Sequence, residues 1–147
     1  MVATPEPKAK SAHPLSRFVS AEAIALHLQM QPEDIYRIDC WRYVIHVVGK
    51  GLSTFVSYAD LPPILGVESP TAEDIHCWRK RWKSNKFKAP DFWKEFYAQK
   101  FRKAPYLEKL HSWGKLVATI KFGLSEAALE WLRIVYAQER KLCLQSF

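Results

Sequence analysis

The sequence predicts a mainly helical α+β fold, in which a short helix pair and a β-hairpin are followed by about four helices. Three observations support this prediction. Two β-branched and aromatic runs lie on either side of a Gly-Lys-Gly turn, apolar residues recur at helical spacing before and after them, and Pro or Gly residues separate the helical segments. The length of 147 residues is close to the usual size of one domain.

The N-terminal residues, 1–17, are predicted to be a disordered tail, because prolines are frequent there and no apolar period is present. Residues 18–147 are predicted to form a single globular domain. Within this domain, 18–63 would contain the helix pair and the hairpin, and 71–147 would form a basic, aromatic-rich helical part.

The helix pair is predicted from capping residues and apolar spacing. Ser20 is a good N-cap for a short helix that has Ile24 and Leu28 on its apolar face. Pro32 suits the first position of a second short helix, which is expected to run to about Ile38.

The hairpin is predicted from two runs, 43–48 and 53–58, which are joined by the turn signal Gly49-Lys50-Gly51. The first run is apolar at most positions on both faces, so it is expected to lie between two layers. Ser53 and Ser57 indicate that the second strand is half exposed. Two prolines at 62–63 are expected to end this region.

The remaining helices are predicted from their start and stop signals. Thr71 is followed three residues later by Asp74, which resembles a capping box, and the helix that they begin is expected to end near Trp82. The next three helices are predicted at 92–103, from Tyr106 to about Phe122, and from Glu126 to about Leu142. The apolar arc of the last helix is wide, so this helix is either the central helix of the domain, which we favour, or a homodimer contact on one face.

The segment 24–38 is similar to the helix-turn-helix family, with a small residue in the first helix, a hydrophobe in the turn and another inside the second helix. With the hairpin as a wing, the resemblance extends to winged-helix proteins and covers 20–58. It implies DNA binding through the second helix. This sequence departs from the family pattern at Glu33 and Asp34, which would face phosphate groups. The alternative is a small helical hairpin that packs in the core or binds protein.

Several function classes lack their motifs in this sequence. The chain has five glycines and no Gly-rich loop of the kind that holds a nucleotide phosphate. Serine-hydrolase and zinc-protease motifs are absent, and Cys40, Cys77 and Cys143 lack metal-ligand spacing, so we predict a protein that is not an enzyme and binds no cofactor or metal. The sequence contains no apolar run of membrane-spanning length and no secretory signal, which predicts a soluble, cytoplasmic protein.

The positive charge is concentrated in one segment. The net charge is +7, and the segment from Trp78 to Lys103 contains ten Lys or Arg residues against two carboxylates, so the rest of the chain is close to neutral. Eight aromatic residues share this segment. Clustered cations with interleaved rings can neutralise phosphates and stack on bases, as in proteins that hold single-stranded nucleic acid.

The sequence therefore predicts a nucleic-acid-binding or regulatory protein. The alternative is a protein-protein adaptor or assembly factor that binds an acidic partner surface, and a core with solvated lysines would need no such function. Trp78 is assigned to the core, and Trp93 or Phe87 to the contact surface. The predicted binding residues, for nucleic acid or for a partner, are Arg79, Lys80, Arg81, Lys83, Lys86, Phe87, Lys88, Trp93, Lys100, Arg102 and Lys103.

Overall fold

A computed structural model of the chain describes residues 13–65, 70–82 and 88–145. It has the predicted α+β architecture, which is mainly helical with one antiparallel sheet. The chain divides into two compact units, Met1–Pro62 and Pro63–Phe147. The division falls between the two prolines that were expected to end the hairpin region, and a single domain over both units stays a prediction.

The N-terminal unit begins earlier than the sequence indicates. Pro14–Phe18 form a 3-10 helix in which Leu15 is buried, and Nδ1 of His13 accepts a hydrogen bond from the Leu15 N–H at 3.1 Å. The structure thus differs from the predicted tail at residues 13–17, because a single turn is too short to give an apolar period. The rest of the predicted tail, residues 1–12, lies outside the described residues.

Helix α1, Ala21–Leu28, forms where the first helix was predicted. The Ser20 hydroxyl accepts a hydrogen bond from the Ala23 N–H at 3.1 Å, as expected of an N-cap. The helix ends at Gln29, whose φ of 57° places it in the left-handed conformation.

The predicted second helix is wrong. Pro32–Asp34 form only a 3-10 turn, and Ile35–Cys40 form strand β1. β-Branched and aromatic residues favour the extended conformation here, and the strand pairs with its neighbour from Ile35 to Cys40, with a register shift between Ile35 and Arg37. The element that would enter a major groove in a helix-turn-helix protein is therefore a strand in this chain.

The predicted hairpin is confirmed, and β1 adds a third strand to it. Strand β2, Ile45–Gly49, lies between β1 and β3, Leu52–Val56, and all pairing is antiparallel. Gly51 in the turn has φ of 68°, which favours glycine. Ile45 and Val47 of β2 are buried on the inner face, so their neighbours in sequence point to the outer face.

Two half-buried histidines of the N-terminal unit are expected to make its stability depend on pH. Burial lowers the pKa of His13, and burial also lowers the pKa of His27 against the opposing charge of Asp60. A histidine with a folded-state pKa below the ordinary 6.5 binds fewer protons than it does in the unfolded chain. The contribution of these two histidines to stability is therefore fully present above about pH 6.5 and is lost as the pH falls through their lowered pKa values.

We expect the melting temperature of this unit to fall on acidification from about pH 7.5 to about pH 5, and the fall to shrink in the variant His13→Asn/His27→Gln. Asparagine retains an acceptor for the Leu15 N–H but cannot be protonated in this range. Thermal melts at graded pH check this, with the exposed His76→Gln of the other unit as the control. An unchanged pH dependence in the double variant would assign the effect to other groups.

The C-terminal unit contains the four helices that the sequence predicted. They are α2, Ala72–Arg81, α3, Phe92–Lys103, α4, Leu107–Thr119, and α5, Glu126–Gln145. The capping box at the start of α2 is complete, with the Asp74 N–H donating to the Thr71 hydroxyl and the Thr71 N–H donating to the Asp74 carboxylate. Helix α4 ends earlier than expected, and a 3-10 helix follows at Lys121–Gly123.

Helices α3, α4 and α5 all pack against one another, and α3 is the central helix because it has the most buried residues, five against four in α4 and three in α5. Its aromatic residues cover a wide arc on a helical wheel, a pattern that predicts partial exposure to solvent, and this prediction is wrong. Trp93, Phe96, Tyr97 and Phe101 are all buried, and the Tyr97 hydroxyl donates to the Pro63 carbonyl at 2.7 Å. Two neighbouring helices cover an arc that a single neighbour would leave open.

Helix α5 is less buried than its sequence indicates. Its buried stripe is limited to Ala128, Leu132 and Val135, whereas Ile134 and Leu142 are 51% and 56% exposed. The predicted central position therefore belongs to α3. A homodimer contact through the exposed side of α5 stays a prediction.

Candidate nucleic-acid interface

The last turn of α2 presents three of the predicted binding residues, Arg79, Lys80 and Arg81, and all are exposed. Cations at this end of a helix are favoured by the partial negative charge of the terminal carbonyl groups. The Arg79 guanidinium lies over the Phe122 ring, 4.7 Å from its centroid, and that of Arg81 lies 5.0 Å from the Trp82 ring. Arginine stacking of this kind orients the side chains on the surface.

A fourth predicted binding residue, Lys88, contacts the same residue as Arg79, Phe122. The Lys88 ammonium donates to the Phe122 carbonyl at 3.0 Å, and the Ala89 N–H donates to the Gly123 carbonyl at 2.7 Å. The chain just before α3 is thus held against the 3-10 helix that precedes α5. Arg79 and Lys88 are nine positions apart in the sequence but converge on one residue, Phe122.

The cations of α3 are held by other rings. Lys94 and Arg102 lie over the Trp131 ring at 5.5 and 5.6 Å from its centroid, and Lys103 is exposed nearby in sequence. Lys100 is half-buried, with its ammonium 5.3 Å from the centroid of the Phe96 ring. The position of Lys100 inside the aromatic arc therefore reflects cation-π contact and not exposure of the arc.

The assignment of Trp93 to the contact surface is wrong. Trp93 is only 1% exposed and meets Trp82 edge to face at a centroid distance of 6.4 Å. The assignment of Trp78 to the core is confirmed, since its exposed fraction is 0%.

Three further predicted residues lie outside the described residues, namely Lys83, Lys86 and Phe87. The described part of the basic segment consequently offers cations but no exposed aromatic ring.

A cluster of rings that the sequence reasoning missed lies on the outer face of the sheet. Trp41, His46 and Phe55 are in mutual contact, with ring centroids 5.0 to 5.5 Å apart. His46 and Phe55 are directly opposite each other in the β2–β3 pairing, and Trp41 follows β1. Phe55 is 56% exposed, so its ring is available for contact. We call these three residues the ring cluster.

Two polar groups around the ring cluster, the Asp39 carboxylate and the His46 Nε2, have partners within the sheet, whereas the buried His46 Nδ1 makes no hydrogen bond. The Arg37 Nε donates to the Asp39 carboxylate at 2.8 Å, which offsets the negative charge on this face. The His46 Nε2 lies 3.0 Å from the Ser53 hydroxyl, whereas its Nδ1 is 3.8 Å from the Asp39 carboxylate, too far for a hydrogen bond.

An exposed aromatic–arginine pair lies in the loop between β1 and β2. Arg42 lies over the ring of Tyr43 at 5.4 Å, and Tyr43 is 77% exposed. An exposed tyrosine beside an arginine offers both a flat apolar face and a cation for a phosphate or an acidic group.

Residues 13–65, 70–82 and 88–145 contain neither a group of metal-binding side chains nor a thiol whose pKa is shown to be lowered. Within these ranges no three His, Cys, Asp or Glu side chains are grouped to hold a metal ion. Burial raises the pKa of the Cys40 and Cys77 thiols, which keeps them protonated and weakly nucleophilic near neutral pH. No helix in the described part of the chain has both the length and the apolar character needed to cross a bilayer.

No protein-family model, curated protein or solved structure matches this chain.

Proposed function

We propose that the protein binds single-stranded nucleic acid and has no enzymatic role. The observation that supports this most is the ring cluster, because Phe55 is more than half exposed on the outer face of an antiparallel sheet. Exposed rings on such a sheet can stack on bases, and stacking accepts any base because each has a π face. Arg37, which is paired with Asp39, lies on this face, and Arg42 lies in the loop between β1 and β2; both guanidinium groups can contact phosphate.

The cations of the C-terminal unit supply phosphate contacts in this proposal. Arg79, Lys80 and Arg81 at the end of α2 are exposed, and Lys88 is held close to Arg79 by Phe122. These cations would contact phosphate groups and not the base edges. Binding would therefore be insensitive to nucleotide sequence and strongly dependent on salt. A regulatory role and a cytoplasmic location remain predictions from the sequence.

The second candidate function is an adaptor that binds an acidic protein surface. It is favoured by the burial of Trp78, Trp82 and Trp93, because the helical cations then attract an acidic partner by charge alone.

Purification with and without nuclease at high salt separates the two proposals. Co-purified nucleic acid, read from the absorbance ratio at 260 and 280 nm, supports the first, and a defined protein partner with no nucleic acid supports the second.

The variant Arg79→Ala/Lys80→Ala/Arg81→Ala is expected to weaken binding of single-stranded oligonucleotides to a similar degree for all sequences. Loss of three phosphate contacts should also flatten the slope of log affinity against log salt by about 2. Fluorescence anisotropy at graded salt measures both effects, and a thermal melt checks the fold.

Arg140→Ala/Lys141→Ala, on an exposed part of α5, serves as the control for this variant. If the triple variant binds as tightly as the unmodified protein, the helical cations do not contact nucleic acid. A loss in the control of about two thirds of the binding free energy lost in the triple variant, in proportion to the charges removed, would show that binding follows net charge alone.

A further inference from the structure

A groove of about 510 Å³ lies between α4 and α5 and is distinct from the surfaces described so far. Its volume is within the range of pockets that hold small molecules. None of its lining residues belongs to the ring cluster or to the predicted binding residues. Its apolar lining is formed by Phe101, Val117, Ala118, Leu129, Leu132 and Tyr136.

Tyr136 forms one wall of the groove and is held in place by its neighbours. Its ring meets Phe101 edge to face at 5.4 Å and stacks on His111 at 6.3 Å. Gly114 allows this arrangement, because a Cβ atom at that position would come within 2.7 Å of the Tyr136 ring. The wall is thus formed before any ligand arrives, which reduces the entropic cost of binding.

The charged side chains that line the groove are all cationic. They are Lys115 and Lys121 on the side of α4, and Arg133 on α5. No carboxylate is among the described residues of the lining. Arg133 has an exposed ion pair with Glu130 at 3.5 Å, and surface pairs of this kind contribute little, so an anionic ligand can compete for the guanidinium.

We propose that this groove binds a small anionic amphiphile, a molecule with an alkyl chain and a carboxylate or similar head group. The apolar lining would take the chain out of water, and Lys115, Lys121 or Arg133 would bind the head group. A neutral amphiphile would lack the second contribution, and a short anion such as acetate would lack the first. Both parts of the ligand are therefore required.

The test uses the full chain and dodecanoate below its critical micelle concentration, with dodecanol and acetate as comparison ligands. Isothermal titration calorimetry is expected to show one dodecanoate bound per chain and at least about tenfold weaker binding of either comparison ligand. The variant Lys115→Gln/Lys121→Gln/Arg133→Gln should bind dodecanoate about as weakly as the unmodified protein binds dodecanol. Equal affinity of the unmodified protein for dodecanoate and dodecanol would overturn the assignment of the cations.

A second variant tests the groove itself without changing charge. Ala118 is exposed at the groove, so Ala118→Trp should fill it and weaken dodecanoate binding at least about tenfold while the protein still melts cooperatively. Ala137→Trp places the same side chain on an exposed position of α5 outside the groove and should leave binding unchanged. If both tryptophan variants bind dodecanoate like the unmodified protein, or if several molecules bind per chain without saturation, the proposal is wrong.

Discussion

Replacement of Trp93 by alanine is expected to lower the free energy of unfolding of the C-terminal unit by about 3–5 kcal/mol. The side chain is 1% exposed and meets Trp82 edge to face, so its removal leaves a large cavity between packed helices. A loss of this size is a large part of the stability of a typical domain.

Chemical denaturation followed by circular dichroism measures the effect. Trp131→Ala is the matched control, because Trp131 is a half-buried tryptophan on α5 and its truncation should cost less. A small loss of stability in Trp93→Ala, together with weaker binding of oligonucleotides, would show that Trp93 contacts the ligand, as the sequence predicted, and is not a core residue.

The helices of the C-terminal unit could be predicted from the sequence because their signals are local. The Thr71 and Asp74 pair fixes the start of α2, and a proline before Phe92 and another after Lys103 limit α3. The burial of α3 could not be predicted in the same way. A helical wheel gives the directions of the side chains but not the number of neighbouring helices, and α3 has two.

Helix α5 illustrates the opposite error. Its wide apolar arc predicted burial nearly all round, but α5 has 20 residues whereas α4 has 13, so its last turns extend beyond the length of its partner. Leu142 and Leu144 in those turns are more than half exposed. Ile134 in the middle of α5 is also 51% exposed, so the positions of the neighbouring helices, as well as their lengths, decide which apolar residues are covered.

The ring cluster was missed because β1 was predicted to be a helix. Pro32, Glu33 and Asp34 are a good helix start on local grounds, but pairing with β2 is a non-local interaction that this signal does not contain. Once 35–40 is a strand, alternation along β1 puts Arg37 and Asp39 on the outer face, opposite Val48 and His46 of β2. A period-two pattern across all three strands would have identified the face.

Replacement of Phe55 by alanine is expected to weaken binding of single-stranded oligonucleotides by about 1–3 kcal/mol, or about 5- to 150-fold. Stability should change by less than about 1 kcal/mol, because the ring is 56% exposed and loses mainly its contacts with His46 and Trp41. Fluorescence anisotropy and a thermal melt on the same preparation separate the two effects.

Two further variants determine what Phe55 contributes. Phe55→Tyr keeps an aromatic face and should bind nearly as well as the unmodified protein, whereas Phe55→Leu keeps apolar bulk and should bind as weakly as Phe55→Ala. Tyr106→Ala removes a ring that is 57% exposed in the other unit and should leave binding unchanged. If Phe55→Leu binds as well as Phe55→Tyr, the residue contributes apolar area and not stacking, and the sheet face then fits an apolar protein contact better than a base.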